Sequence, residues 1–67
     1  MKETVWHYTK MKRVIKPKKM KDFLNEIEQT CKKYNLSISH EDSQGGFIIE
    51  SYDEYNIKWL KDAFMDF

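Results

Sequence analysis

The chain has few of the residues that staple or interrupt a fold: one cysteine, one proline and two glycines in 67 residues. A lone Cys31 forms no internal disulfide. That excludes the cross-linked scaffolds of small secreted domains and suits a reducing cytosol. Metal ligands are equally sparse. His7, His40 and Cys31 lie far apart, and the closest group, His40-Glu41-Asp42, falls at a predicted strand, where neighbours point to opposite faces. No metal or other cofactor is expected. No nucleophile sits at a recognisable spacing from a base, and Gly45-Gly46 lacks the spacing and following helix of a phosphate-cradling loop. The expectation is a non-enzyme. No segment approaches membrane-spanning length, and MKETVWHYTKMKR contains no apolar run of the signal-peptide kind. A cytoplasmic protein without a membrane partner follows as the default.

With no staples, apolar burial must supply the stability, and 67 residues allow one small domain, 1–67. Ten aromatic rings, 15% of the chain, provide the apolar surface. So small a domain cannot enclose them all, which points to rings at a homodimer or partner surface.

The elements read as β-α-β-β-α. Thr4-Val5-Trp6-His7-Tyr8-Thr9 is β-branched and aromatic, a short strand. Lys10 to Lys16, anchored by Met11, Val14 and Ile15, either extends that strand or lies over the surface as a loop. Pro17 suits a first helical turn. Met20, Phe23, Leu24, Ile27, Cys31 and Tyr34 then recur at the spacing of one buried helical stripe, and Asn35 suits the left-handed end. Leu36 to Glu41 alternates as a half-exposed strand, Asp42 to Gly46 reads as a hairpin loop, and Phe47 to Glu50 returns as a strand. Ser51-Tyr52-Asp53-Glu54 has capping-box spacing ahead of a last helix, with Ile57, Leu60, Phe64 and Phe67 on its stripe. The expected fold is α+β, a small antiparallel sheet with two helices packed on one face. Residues 1–16 form an N-terminal strand and basic arm, and 17–67 an α-β-β-α core.

Charge is strongly segregated. Residues 1–34 carry ten Lys/Arg against four Asp/Glu, net +6, while residues 35–67 carry two against seven, net −5. Lys10, Lys12, Arg13, Lys16, Lys18, Lys19 and Lys21 run without an intervening acid. Four of these lysines crowd the start of the first helix, where the dipole already disfavours cations by roughly 0.3–1 kcal/mol each. A solvated helix start explains them, and so does a face for phosphate or a partner's carboxylates. Trp6 and Tyr8 are the rings placed to join that face, by stacking if the ligand is nucleic acid. The overall charge of +1 is low for a dedicated nucleic-acid binder, so a charged protein partner competes well. Conversely, Glu41, Asp42, Glu50, Asp53, Glu54, Asp62 and Asp66 offer a phosphate-like surface, although helix capping and neighbouring lysines account for most of them.

The stretch Leu24 to Phe64 resembles small proteins encoded by phages and prophages of Gram-positive bacteria. The likeness is carried by Cys31-Lys32-Lys33-Tyr34-Asn35-Leu36-Ser37-Ile38-Ser39-His40-Glu41-Asp42, Gly46-Phe47-Ile48-Ile49-Glu50 and Asn56-Ile57-Lys58-Trp59-Leu60. It contains no catalytic motif. Phage accessory proteins of this size often inhibit host machinery, and anti-CRISPR proteins that block a type II RNA-guided nuclease are among them. The resemblance therefore implies an inhibitor that binds a host protein or ribonucleoprotein. Direct nucleic-acid binding through residues 10–21 is the alternative. The basic arm lies outside the similar stretch, so its role rests on charge alone.

Overall fold

Two hairpins and two helices alternate in the computed structural model, which describes residues 3–40 and 45–67. Strand β1 (Thr4–His7) pairs antiparallel with β2 (Lys12–Ile15), from Thr4 opposite Ile15 to His7 opposite Lys12. Helix α1 (Lys18–Tyr34) follows. Strands β3 (Leu36–His40) and β4 (Phe47–Ser51) form the second antiparallel hairpin, and α2 (Glu54–Lys61) completes the element order. The α+β class stands as expected. In place of a single three-stranded sheet, however, the strands form two separate two-stranded sheets. Both helices pack against β3 and touch each other.

The basic segment accounts for this difference. It neither prolongs β1 nor lies as a loop, but turns back as β2. The turn, Tyr8 to Met11, holds no glycine or proline to announce it. A side chain builds it instead. Buried His7 accepts the Lys10 N–H on Nδ1 (3.1 Å), its carbonyl accepts the Met11 N–H (2.9 Å), and Met11 closes the turn at φ 55°. With Nδ1 accepting, Nε2 carries the proton and donates to the main-chain oxygen of Phe67 at 3.2 Å.

That last bond belongs to a second unpredicted feature, the return of the chain after α2. Met65 bridges His7 in parallel: its N–H donates to the Trp6 carbonyl (2.9 Å) and its carbonyl accepts from Tyr8 N–H (2.8 Å). Thr9 Oγ1 also donates to the Asp66 carboxylate. Met65 is buried with Val5, Met20 and Leu24, and Val14 and Leu60 pack against this cluster. The described part of residues 1–16 therefore helps make the core, through Val5 and Val14. The expected α2 stripe is shortened accordingly. Ile57 is buried and Leu60 partly so, but Phe64 and Phe67 lie on the returning segment and are exposed.

Helix ends follow local chemistry. Pro17 is the residue before α1, extended at ψ 151°, and its carbonyl accepts from Met20 and Lys21 N–H. Asn35 ends α1 in the left-handed conformation (φ 56°, ψ 40°). At α2 the cap is Asp53, whose carboxylate accepts the Tyr55 N–H at 2.7 Å. Ser51 is instead the last residue of β4, so the expected capping box is displaced. Of the predicted hairpin loop, residues 42–44 lie outside the described residues; Gly45 adopts φ 70°, a conformation costly for any residue with a Cβ. No helix among the described residues is long and apolar enough to cross a membrane.

Candidate binding surface

The structure distributes the seven cations of the basic run rather than stacking them on one face. Alternation along β2 sends Lys12, Val14 and Lys16 to one side of the hairpin and Arg13 and Ile15 to the other. Lys16 is drawn inward: its side chain is 13% exposed, 3.7 Å from the Glu3 carboxylate, and its ammonium donates to the Lys61 carbonyl at 3.3 Å. Lys18 pairs with Asp22 one turn on, at 2.7 Å, and that carboxylate holds the ammonium above the ordinary lysine value. Neither of these two is a free contact.

The other five remain available. Lys10, Lys12, Arg13, Lys19 and Lys21 form no ion pair with any described residue. Arg13 is oriented by Thr4, donating to its hydroxyl and its carbonyl at 3.0 Å. Lys19 lies over the Phe67 ring, 5.3 Å from its centroid, a cation–π contact that ties α1 to the returning chain. Tyr8 is 63% exposed beside the hairpin turn, whereas Trp6 is only half-buried and sits opposite Arg13.

Lys16, Lys21 and Lys61 converge on a cleft of about 390 Å³ that also meets Glu3 and Asp62. A smaller hollow of about 200 Å³ shares Lys16, Lys61 and Asp62 with it and adds Trp6, Arg13 and Phe64. Together they form a channel between the first hairpin and the end of α2. Four cations and two rings line it, but Lys16 is paired with Glu3 and Lys61 with Glu28, which leaves Arg13 and Lys21 without an ion pair to a described residue. Such a channel can accept an extended anionic chain, because a ring and a guanidinium on one wall suit stacking and charge neutralisation at once. Sequence reasoning missed Lys61 and Phe64. They lie 45 and 51 positions from Lys16 and Arg13 along the chain, and no local spacing links them.

Glu28 organises the neighbouring surface. Its carboxylate pairs with Lys61 and, at 3.2 Å, with Lys32; these hydrogen bonds hold its acid below the ordinary glutamate value and raise Lys32. His7, weighed above as a metal ligand, spends both ring nitrogens on main-chain groups. Cys31 is buried on α1. No group of three or more His, Cys, Asp or Glu that could hold a metal is found among the described residues. Glu41 and Asp42, the acids of the His40 cluster, lie outside them.

A second surface was less visible in the sequence. All five residues of β4 are exposed, including Phe47 (70%) and Ile49 (62%). The signal for it is Phe47-Ile48-Ile49, three consecutive apolar residues on a strand. A domain this small cannot bury both faces of such a strand. Compared with known proteins, the chain matches no family model, no curated protein and no solved structure.

Proposed function

We propose that this chain is a non-enzymatic binding protein of the phage or prophage accessory kind. In this reading it inhibits or modulates a host protein or ribonucleoprotein in the cytoplasm by gripping an anionic surface. A type II RNA-guided nuclease fits as the target class, because it displays nucleic-acid backbone and charged channels together. One observation supports this above the others. Lys10, Lys12, Arg13, Lys19 and Lys21, spread over both sides of the first hairpin and the start of α1, form no ion pair with a described carboxylate. Exposed cations steer an anionic partner into encounter, and an adjacent exposed ring such as Tyr8 supplies a desolvated anchor.

Direct binding of single-stranded nucleic acid is the second reading, favoured by the channel that joins Arg13, Lys16, Lys21 and Lys61 to Trp6 and Phe64. Both readings are tested with the triple charge reversal Lys10→Glu, Lys12→Glu and Arg13→Glu, whose sites are exposed and form no ion pair with a described residue. The unaltered chain should bind an assembled type II effector, and the reversed chain should bind it more weakly by about tenfold or more. Equal affinity would remove this surface from consideration. Labelled single strands at low and high salt separate the readings: tight binding that falls steeply with salt supports direct recognition of nucleic acid.

A further inference from the structure

The uncovered strand β4 points to a second activity of the surface, independent of the basic hairpin. Among the described residues no helix packs along β4, and its first residue, Phe47, meets the rings of Trp59 and His40. Edge strands in soluble proteins are usually blunted by lysine, proline or a bulge. The β4 sequence, Phe47-Ile48-Ile49-Glu50-Ser51, has one charge, Glu50, but no lysine, proline or bulge, and it keeps a regular register against β3.

The hydrogen-bond phase of the outer edge can be read from its inner one. Tyr52 N–H donates to the Asn35 carbonyl at 3.0 Å. Alternation then turns the amide and carbonyl groups of Glu50 and Ile48 toward β3, and those of Ile49 and Phe47 outward. Phe47 and Ile49 also share a side-chain face with Leu36 and Ile38. That face continues onto α1 through two apolar hollows. One, of about 170 Å³, is bounded by Cys31, Tyr34 and Ile49; the other, of about 360 Å³, by Phe23, Ile27 and Ile38.

We infer that β4 pairs antiparallel with β4 of a second copy of this chain, about a two-fold axis at Ile49. Each Ile49 then exchanges both main-chain hydrogen bonds with its mate, and Phe47 lies across from the other copy's Ser51. Glu50 falls opposite Ile48, so the dyad brings no like charges face to face. Area supports this occupant. Phe23, Tyr34, Leu36, Phe47 and Ile49 are each 44–70% exposed. Covering them would remove on the order of 600 Å² per protomer, at the lower end of standard interfaces of roughly 800 Å² per partner.

Light scattering over a dilution series should give the mass of two chains, dissociating to one on dilution. Ile49→Glu should give a single-chain mass throughout with an unchanged circular dichroism spectrum, because Ile49 is exposed in the protomer. Register is read by oxidation. Residues paired at the dyad have Cα atoms about 5.5 Å apart, within disulfide range, so Ile49→Cys should form a covalent dimer. Ile48→Cys, on the opposite face and across from Glu50, should not. A single-chain mass for the unaltered protein up to about 1 mM, a dimer that survives Ile49→Glu, or equal cross-linking from both cysteine variants would each overturn the inference.

Discussion

The chain makes two antiparallel hairpins of similar size and treats them in opposite ways. The first, β1–β2, is stitched down. Val5 and His7 are buried, the returning segment pairs along β1 through Met65, and the Phe67 main chain closes over His7. The second, β3–β4, packs against the helices through its inner strand, with the Phe47 ring of β4 meeting Trp59. Ser37, 1% exposed, donates to the Ser51 carbonyl (2.7 Å) and accepts from Asn56 (3.0 Å), while every residue of β4 faces solvent. The difference teaches where a minimal domain spends its apolar residues. Four of them build one small cluster at the first hairpin, while Phe23, Tyr34, Phe47 and Ile49 are left exposed.

The sharpest way to break this contrast is a matched pair of truncations. Met65→Ala removes a core side chain and should cost about 2–5 kcal/mol of unfolding free energy, measured by urea denaturation. Ile49→Ala, at low protein concentration where chains are separate, should change stability by no more than about 0.5 kcal/mol. Similar losses at both sites would show that β4 is buried in the protomer and the two hairpins are alike.

His7 tests whether the first hairpin depends on one imidazole. His7→Leu keeps the bulk but leaves the Lys10 N–H and the Phe67 oxygen without partners, and should destabilise by about 1–3 kcal/mol. Amide hydrogen exchange should localise the loss to the turn and to residues 65–67. A uniform loss across α2 and β3 would contradict the local role.

At the second hairpin the corresponding effects are smaller. Asp53→Ala deprives α2 of its cap at the Tyr55 N–H and should cost about 1 kcal/mol, seen as a lower thermal midpoint, with Asp53→Asn largely restoring it.

The smallest effect is the pH dependence of Glu28, which links the two halves through Lys61 and Lys32. Its folded value lies below the ordinary 4.5, so its contribution to stability is present above that value and is lost as pH falls through the depressed one. Glu28→Gln should flatten stability between neutral pH and the acid limb. An unchanged acid limb would show that these pairs are energetically silent.

Most local structure was legible because it depends on neighbours in sequence. The i, i+3, i+4 spacing from Met20 to Cys31 marks α1, Asn35 ends it, and two β-rich runs mark β3 and β4. The stripe was read too broadly, since Phe23 and Tyr34 at its margins are exposed. The basic run was visible as charge but not as a surface. Which cations stay free depends on Glu3 and Asp22 and on the Lys61 carbonyl, a group no composition reveals. The β1–β2 turn escaped because His7 organises it from the side, without turn residues.

Sequence by itself determined the α+β class, the end of α1 at Asn35 and the polarity of charge, since periodicity, capping chemistry and formal charge are local properties. Tertiary structure alone decided that Met65 returns to join β1, that Lys16 is drawn inward while Arg13 stays exposed, and that β4 is left bare. Those outcomes depend on contacts between residues up to sixty positions apart, such as His7 with Phe67. Such contacts form only when ordering the chain is repaid by burial elsewhere, a balance set by the whole fold.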